Sequence, residues 1–359
     1  MNASALSRTA GSRWLAIDAL RGLAVLLMIT QHVSYWLVGI EQHNEWVVLF
    51  TGALGGLAAP IFVLLAGVGV TFSAQRHDDC DRLLVIRGAM IMGFGYLMNF
   101  LTPHWFTMGS WYVLHLIGAA MMMAPMLRRL STSGVLTLLA AVLVITIGIQ
   151  TWLDTPFRLY NNDMSAPTKP GGALRFALAE GFFPIFPWLA FFLAGIAAGR
   201  WLLAGTIQKI WQMAAVLVAA LAVLSGLFAS GLAFTHDSRW IRFFLFKTNF
   251  YPALTPITLF LIATALLFVY TFVRIDERLS FDVSNMLVCL GRVSLTLLIF
   301  HVAAIRESAQ YFGFWKTMSA PITLILVALL LIGFAVAAKG WRKIQFKYGA
   351  EWVLRLVTG

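Results

Sequence analysis

Residues 14–39 read WLAIDALRGLAVLLMITQHVSYWLVG, and Asp18 and Arg21 are the only formally charged side chains in the run. A helix rises about 1.5 Å per residue, so a stretch of this length can cross a hydrocarbon core about 30 Å thick. The rest of the chain repeats the pattern. Of its 359 residues 60% are hydrophobic and 11% charged, less than half the roughly 25% charge of a soluble domain. That excludes a water-soluble globule. The solid apolar runs also exclude a β-barrel, whose strands alternate apolar and polar residues. The expected fold is all-α, a polytopic transmembrane helix bundle of about ten spans. They lie near residues 14–39, 47–73, 83–101, 111–127, 134–153, 182–203, 211–234, 253–273, 285–304 and 319–338, within a single integral-membrane domain over 1–359.

The first run lacks a small-residue cleavage site and reads as a retained helix. With its N-terminus inside, the inner segments collect 16 Lys and Arg and the outer loops 8, so the expected topology is N-in and C-in. The formal charge of +11 is therefore read as basic loops against anionic membrane lipids, with no nucleic-acid partner. Cys80 and Cys289 have no metal-ligand spacing and read as reduced and structural. Two outer connections, 154–181 and 235–251, exceed tight turns, and the last 20 residues mix Lys and Arg with aromatics as an inner-surface anchor would.

Ionisable groups inside a span are expensive unless paired or wetted, so each is a functional hypothesis. At about 100° per residue, Arg21 and His32 differ by about 20° and Asp18 lies about 40° from His32. The three share one face of the first helix, a polar seam running from the inner surface into the membrane. His43 follows in the short connection EQHNEW, and an imidazole with an ordinary pKa near 6.5 can act as base near neutrality. In the ninth span, Arg292 stands at the inner end, and Ser294 and His301 face one way. At about 10 Å apart they are too distant to be a nucleophile and its base. His301, Ser294 and His115 of the fourth span are substrate contacts or interhelical hydrogen bonders. Gly195 and Gly199, four apart, favour close helix approach. Pro252 and Pro256 at a span entrance are positioned to kink it. No metal site is expected, and a homo-oligomer is compatible with the sequence.

These residues carry a resemblance. RWLAIDALRGLAVLLMITQH resembles the first helix of integral-membrane acyltransferases, and the wider chain resembles bacterial relatives of heparan-α-glucosaminide N-acetyltransferase through AAPIFVLLAGVGVTFS, LHLIGAAMMMAPML, PWLAFFLAGIAAGRW, KTNFYPALTP and LGRVSLTLLIFH. The resemblance implies a bacterial inner-membrane enzyme that moves an acetyl group from cytoplasmic acyl-CoA to a carbohydrate amine or hydroxyl on the far side, with acyl-CoA and a saccharide or glycan as partners. It also implies catalytic roles for His43, placed 25 residues after Asp18 and three before Trp46, and for His32, 11 residues after Arg21. Gly56 stands where the eukaryotic enzyme has an Asp. Joined to the seam, this predicts an acyl-CoA path along Asp18, Arg21 and Arg292, with the two arginines on the CoA phosphates, since guanidinium pairs with phosphate in a fork. Two other classes fit the same residues. One is a carrier of a small metabolite or lipid-linked sugar, with the seam as its pathway. The other is a haem protein using two of His32, His115 and His301, which needs a histidine pair at one depth on facing helices.

Overall fold

The computed structural model describes residues 14–42, 46–77, 79–160, 163–164 and 170–358. Among them the regular structure is helical. In chain order the helices are α1 (Leu15–Leu37), α2 (Trp46–Gly55), α3 (Ala58–Arg76), α4 (Cys80–Leu101), α5 (Val113–Leu127) and α6 (Thr132–Trp152). They continue with α7 (Ile185–Leu203), α8 (Gln208–Ala229), α9 (Thr255–Leu279), α10 (Met286–Arg292), α11 (Ser294–Tyr311), α12 (Ala320–Arg342) and α13 (Ala350–Thr358).

Eight of the described helices are long and apolar enough to cross a membrane, α2 and α3 counting together as Trp46–Arg76. The pair α10 and α11, bent by 70°, makes a ninth if it is one broken span. These account for nine of the ten expected spans. The tenth, α5, has 15 residues, about 22 Å of helix, short of the roughly 30 Å core. The run at 285–304, read from sequence as one continuous helix, is interrupted at Val293, where φ is −121° and ψ 21°. Pro256 occupies the first turn of α9, where a missing N–H matters little, so it starts the helix instead of kinking it.

The chain forms two compact units, residues 1–62 with 271–359, and Val63–Tyr270. In the first unit α1 is the core, packed against α10, α2 and α12. Glycine sets how closely these helices meet. A Cβ on Gly22 would lie 1.9 Å from the Leu287 carbonyl oxygen, and one on Gly291 would lie 1.9 Å from that of Asp18. The backbones of α1 and α10 therefore touch directly. Cys289 is buried as a free thiol beside this contact.

The second unit is organised around α7, whose Trp188, Phe191 and Phe192 are fully buried. The same small-residue logic operates here. A Cβ on Gly195 would lie 1.9 Å from the Leu64 carbonyl oxygen, and one on Gly199 would lie 2.0 Å from Thr71 Oγ1. The close-packing reading of these two glycines holds. Helices α4 and α5 meet through Gly88 and Gly118. Cys80 is a buried free thiol.

Candidate active site

The first unit brings together two of the expected groups. At one end of α1, Asp18 is buried and accepts a hydrogen bond from Arg21 Nη1 at 3.1 Å, three residues along the same helix. Arg292 reaches the other carboxylate oxygen, Nε to Oδ2 3.7 Å. That approach is a consequence of the Gly22 and Gly291 contact, which brings the end of α10 onto the first turns of α1. One carboxylate thus holds two guanidiniums. Their side chains are 27% and 19% exposed. Fork-shaped donors of this kind suit phosphate oxygens.

Three turns along α1, His32 meets His301. His32 Nδ1 and His301 Nε2 lie 2.9 Å apart, and the rings are nearly parallel with centroids at 5.2 Å. Trp36, one turn after His32, stacks on both imidazoles, with centroids at 5.1 and 5.7 Å. His301 Nδ1 lies 2.8 Å from the Leu297 carbonyl oxygen. Because a carbonyl only accepts, His301 carries its proton on Nδ1 and offers a lone pair at Nε2. His32 then donates from Nδ1 to that lone pair. The backbone carbonyl, His301 and His32 form an ordered chain that fixes the tautomer and orientation of His32. His301 is fully buried and His32 half-buried. A π-helical turn, His301–Arg306, begins at this residue, an irregularity frequent at functional sites.

The break between α10 and α11 leaves backbone N–H groups that a membrane would not satisfy. Glu351 of α13 takes them. Its Oε1 accepts from Leu295 N at 2.5 Å and Thr296 N at 3.3 Å, and its Oε2 accepts from Thr296 Oγ1 at 2.5 Å. Burial pushes the Glu351 carboxyl above its ordinary range, against the pull of these bonds. Phe346 from the same tail lies under the Arg292 guanidinium, 5.5 Å from its ring centroid. Ser294 is buried at the start of α11.

Five residues beyond His301, Arg306 is buried, paired with Glu307 at 2.5 Å and set over the Trp315 ring. Lys316, in the left-handed backbone region at φ 55°, places its ammonium over Tyr35, and burial lowers its pKa. His115 belongs to the second unit. Its Nδ1 accepts from Tyr112 N at 3.3 Å, closing a cap on α5, and its ring lies against Gly95 among Tyr96, Trp111 and Tyr112. These contacts cap α5 and pack the ring. His43 lies outside the described residues. The imidazole nitrogens of His32 and His301 point at one another at 2.9 Å, so these two cannot ligate opposite faces of a haem iron. Among the described residues no three His, Cys, Asp or Glu side chains converge on a metal position.

Sequence reasoning missed Trp36, Phe346 and Glu351. Trp36 was within reach, because residues four apart share a helix face. Glu351 carried a signal too, being the only acidic residue after Glu307 in a basic tail. Phe346 carried none. The sequence model of the family described as "Heparan-alpha-glucosaminide N-acetyltransferase, catalytic" matches residues 13–227. No curated protein matches the chain.

Proposed function

The chain belongs to the heparan-alpha-glucosaminide N-acetyltransferase catalytic family, and from that membership we propose that it moves an acetyl group from acyl-CoA on the inner side of the membrane to an amine or hydroxyl of a saccharide on the outer side. It is an integral membrane protein; we place it in a bacterial inner membrane, N-in and C-in, an orientation that the positive-inside count supports.

The observation that carries the reading is the ordered chain from the Leu297 carbonyl through His301 to His32. A base whose partner nitrogen is held by a second group is the arrangement that nucleophile activation requires. In the proposed reaction the acceptor N–H or O–H gives its proton to His32 Nε2 as its lone pair attacks the thioester carbonyl carbon. The C–S bond then breaks, and the imidazolium returns the proton to the departing CoA thiolate. His301 spreads the transient charge without leaving its carbonyl. His43, where the family resemblance puts a catalytic histidine, supplies the second imidazole, as donor to the oxyanion or as an alternative base. Arg21 and Arg292, poised by Asp18, would hold the CoA phosphates, with the pantetheine arm lying along the α1 face towards His32.

Mass spectrometry of an aminosugar incubated with acetyl-CoA and the reconstituted protein tests this. The account expects an acetylated sugar from wild type and a loss of about 100-fold or more in His32→Ala, the scale of a missing general base. Wild-type turnover in His32→Ala overturns the assignment. The carrier reading has one observation of its own, the broken span α10 and α11, since discontinuous helices line transporter sites. A carrier moves its substrate without releasing CoA thiol, so the same assay separates the two.

A further inference from the structure

The C-terminal tail does more than lie on a surface. Its turn contains three non-glycine residues in the left-handed backbone region, Gln345, Phe346 and Tyr348, with φ of 57°, 53° and 67°. Such a run persists only where surrounding contacts over-determine it. The contacts are present. Trp341 Nε1 donates to the Lys347 carbonyl at 2.5 Å, Arg355 Nη2 donates to that of Phe346 at 3.2 Å, and Phe346 is buried against Arg292. Ala350 N donates to Thr296 Oγ1 at 2.8 Å, the hydroxyl that itself donates to Glu351. Gly349 lies so close that a Cβ there would be 2.6 Å from Thr296 Oγ1. An amphipathic anchor needs only lipid. This segment is instead keyed to one place on the protein, the first turn of α11.

That turn matters because α11 carries His301. The residue before it, Val293, supplies no side-chain cap, and the break removes the support a continuous helix would give. The axial position of α11 is set by what holds Leu295 and Thr296, and His301 is five residues beyond Thr296. We propose that residues 346–358 form a clamp whose Glu351 carboxyl oxygens fix α11, so that Glu351 is a positioning residue for the His32 and His301 pair. The proposal rests on the acyl-transfer reading and lies outside the family match, which ends at residue 227.

The test uses the full chain in lipid nanodiscs, with hydrogen exchange over residues 294–306 and 345–358 measured beside kcat and KM for acetyl-CoA. Glu351→Ala is expected to speed exchange in both segments and to lower kcat about tenfold or more while KM moves less than about twofold, since a displaced base slows chemistry before it weakens donor binding. Glu351→Gln keeps an acceptor oxygen for the two backbone N–H groups and is expected to recover both readouts. Gly349→Ala, which leaves the carboxylate in place and crowds Thr296, is expected to behave as Glu351→Ala does. Unchanged exchange over 294–306 in Glu351→Ala overturns the clamp. Faster exchange with unchanged kcat makes the tail a passive anchor and overturns the positioning role, as does a Glu351→Gln protein as impaired as Glu351→Ala. If wild type transfers acetyl to no acceptor, the acyl-transfer reading fails, while the exchange data still decide whether Glu351 holds α11.

Discussion

Adding one methyl group at Gly22 should damage both stability and donor binding. In the structure that Cβ would stand 1.9 Å from the Leu287 carbonyl oxygen and 2.7 Å from its carbon, whereas ordinary contact begins at 3.4 Å. Both obstacles are backbone, which cannot rotate aside. The helices α1 and α10 must therefore part by about 1.5 Å locally, and overpacking of this kind typically costs about 1–3 kcal/mol. Separation also draws Arg292 away from Asp18, now 3.7 Å apart. At an effective dielectric near 20, stretching that pair to about 5 Å weakens it by roughly 1 kcal/mol. If Arg292 holds a CoA phosphate from this position, a similar loss raises KM for acetyl-CoA about fivefold. Thermal unfolding in detergent, followed by tryptophan fluorescence, and initial rates against acetyl-CoA concentration measure the two effects. Gly333→Ala in α12 is the control, because nothing lies within 4 Å of its Cβ. A helix-interior Gly→Ala there gains up to about 1 kcal/mol, so its melting temperature should hold or rise. A Gly22→Ala protein that melts with wild type and keeps its KM would refute the direct contact of the α1 and α10 backbones.

His301→Ala leaves His32 without the group that orients it, and kcat should fall about 100-fold with KM nearly unchanged; an unaltered kcat removes His301 from the site. Asp18→Asn deletes the charge shared by Arg21 and Arg292, and the expected result is a several-fold rise in KM for acetyl-CoA with melting lowered by a few degrees, read from the same two assays. Arg175→Ala in the second unit strands the buried Glu180 carboxylate it pairs with, a loss of about 3–5 kcal/mol that thermal unfolding should register even though no chemistry is involved. Burial in the docked tail raises the Glu351 carboxyl above its free value, so between the free and the raised value the docked tail holds a proton that the released tail has given up. Docking is then firmest at low pH and loosens as pH rises through the raised value, which anisotropy of a fluorophore at Val357→Cys should follow; tightening with rising pH contradicts it.

The membrane fold was legible because it follows from composition and run length, and those survive any detail of packing. The face shared by Asp18, Arg21 and His32 was legible because helical geometry alone sets it. Arg292 and His301 could be marked as polar groups in an apolar run, yet their partners belong to another helix more than 250 residues away. No periodicity on one segment encodes that pairing. The interruption at Val293 was hidden for a different reason. The stretch LGRVSLT has no proline, and its one glycine, Gly291, serves the contact with α1, so nothing local marks the break. The break is sustained by Glu351, 58 residues further on. The seven-residue spacing of Ser294 and His301 marks a shared face, but it could not reveal that His301 is met by a second histidine from α1. His115 was legible as a buried imidazole, but its hydrogen bond from the Tyr112 backbone N–H was not, since any residue at position 112 other than proline offers that donor.

The central claim is acyl transfer at His32, and acceptor-dependent release of CoA thiol tests it most directly. Purified protein in lipid vesicles is given acetyl-CoA, with and without a panel of aminosugars and glycans. Free thiol is followed in wild type, His32→Ala and His43→Ala. The account predicts release that requires one class of saccharide and disappears with His32→Ala. Release that is independent of every acceptor, or equal in wild type and His32→Ala, contradicts it.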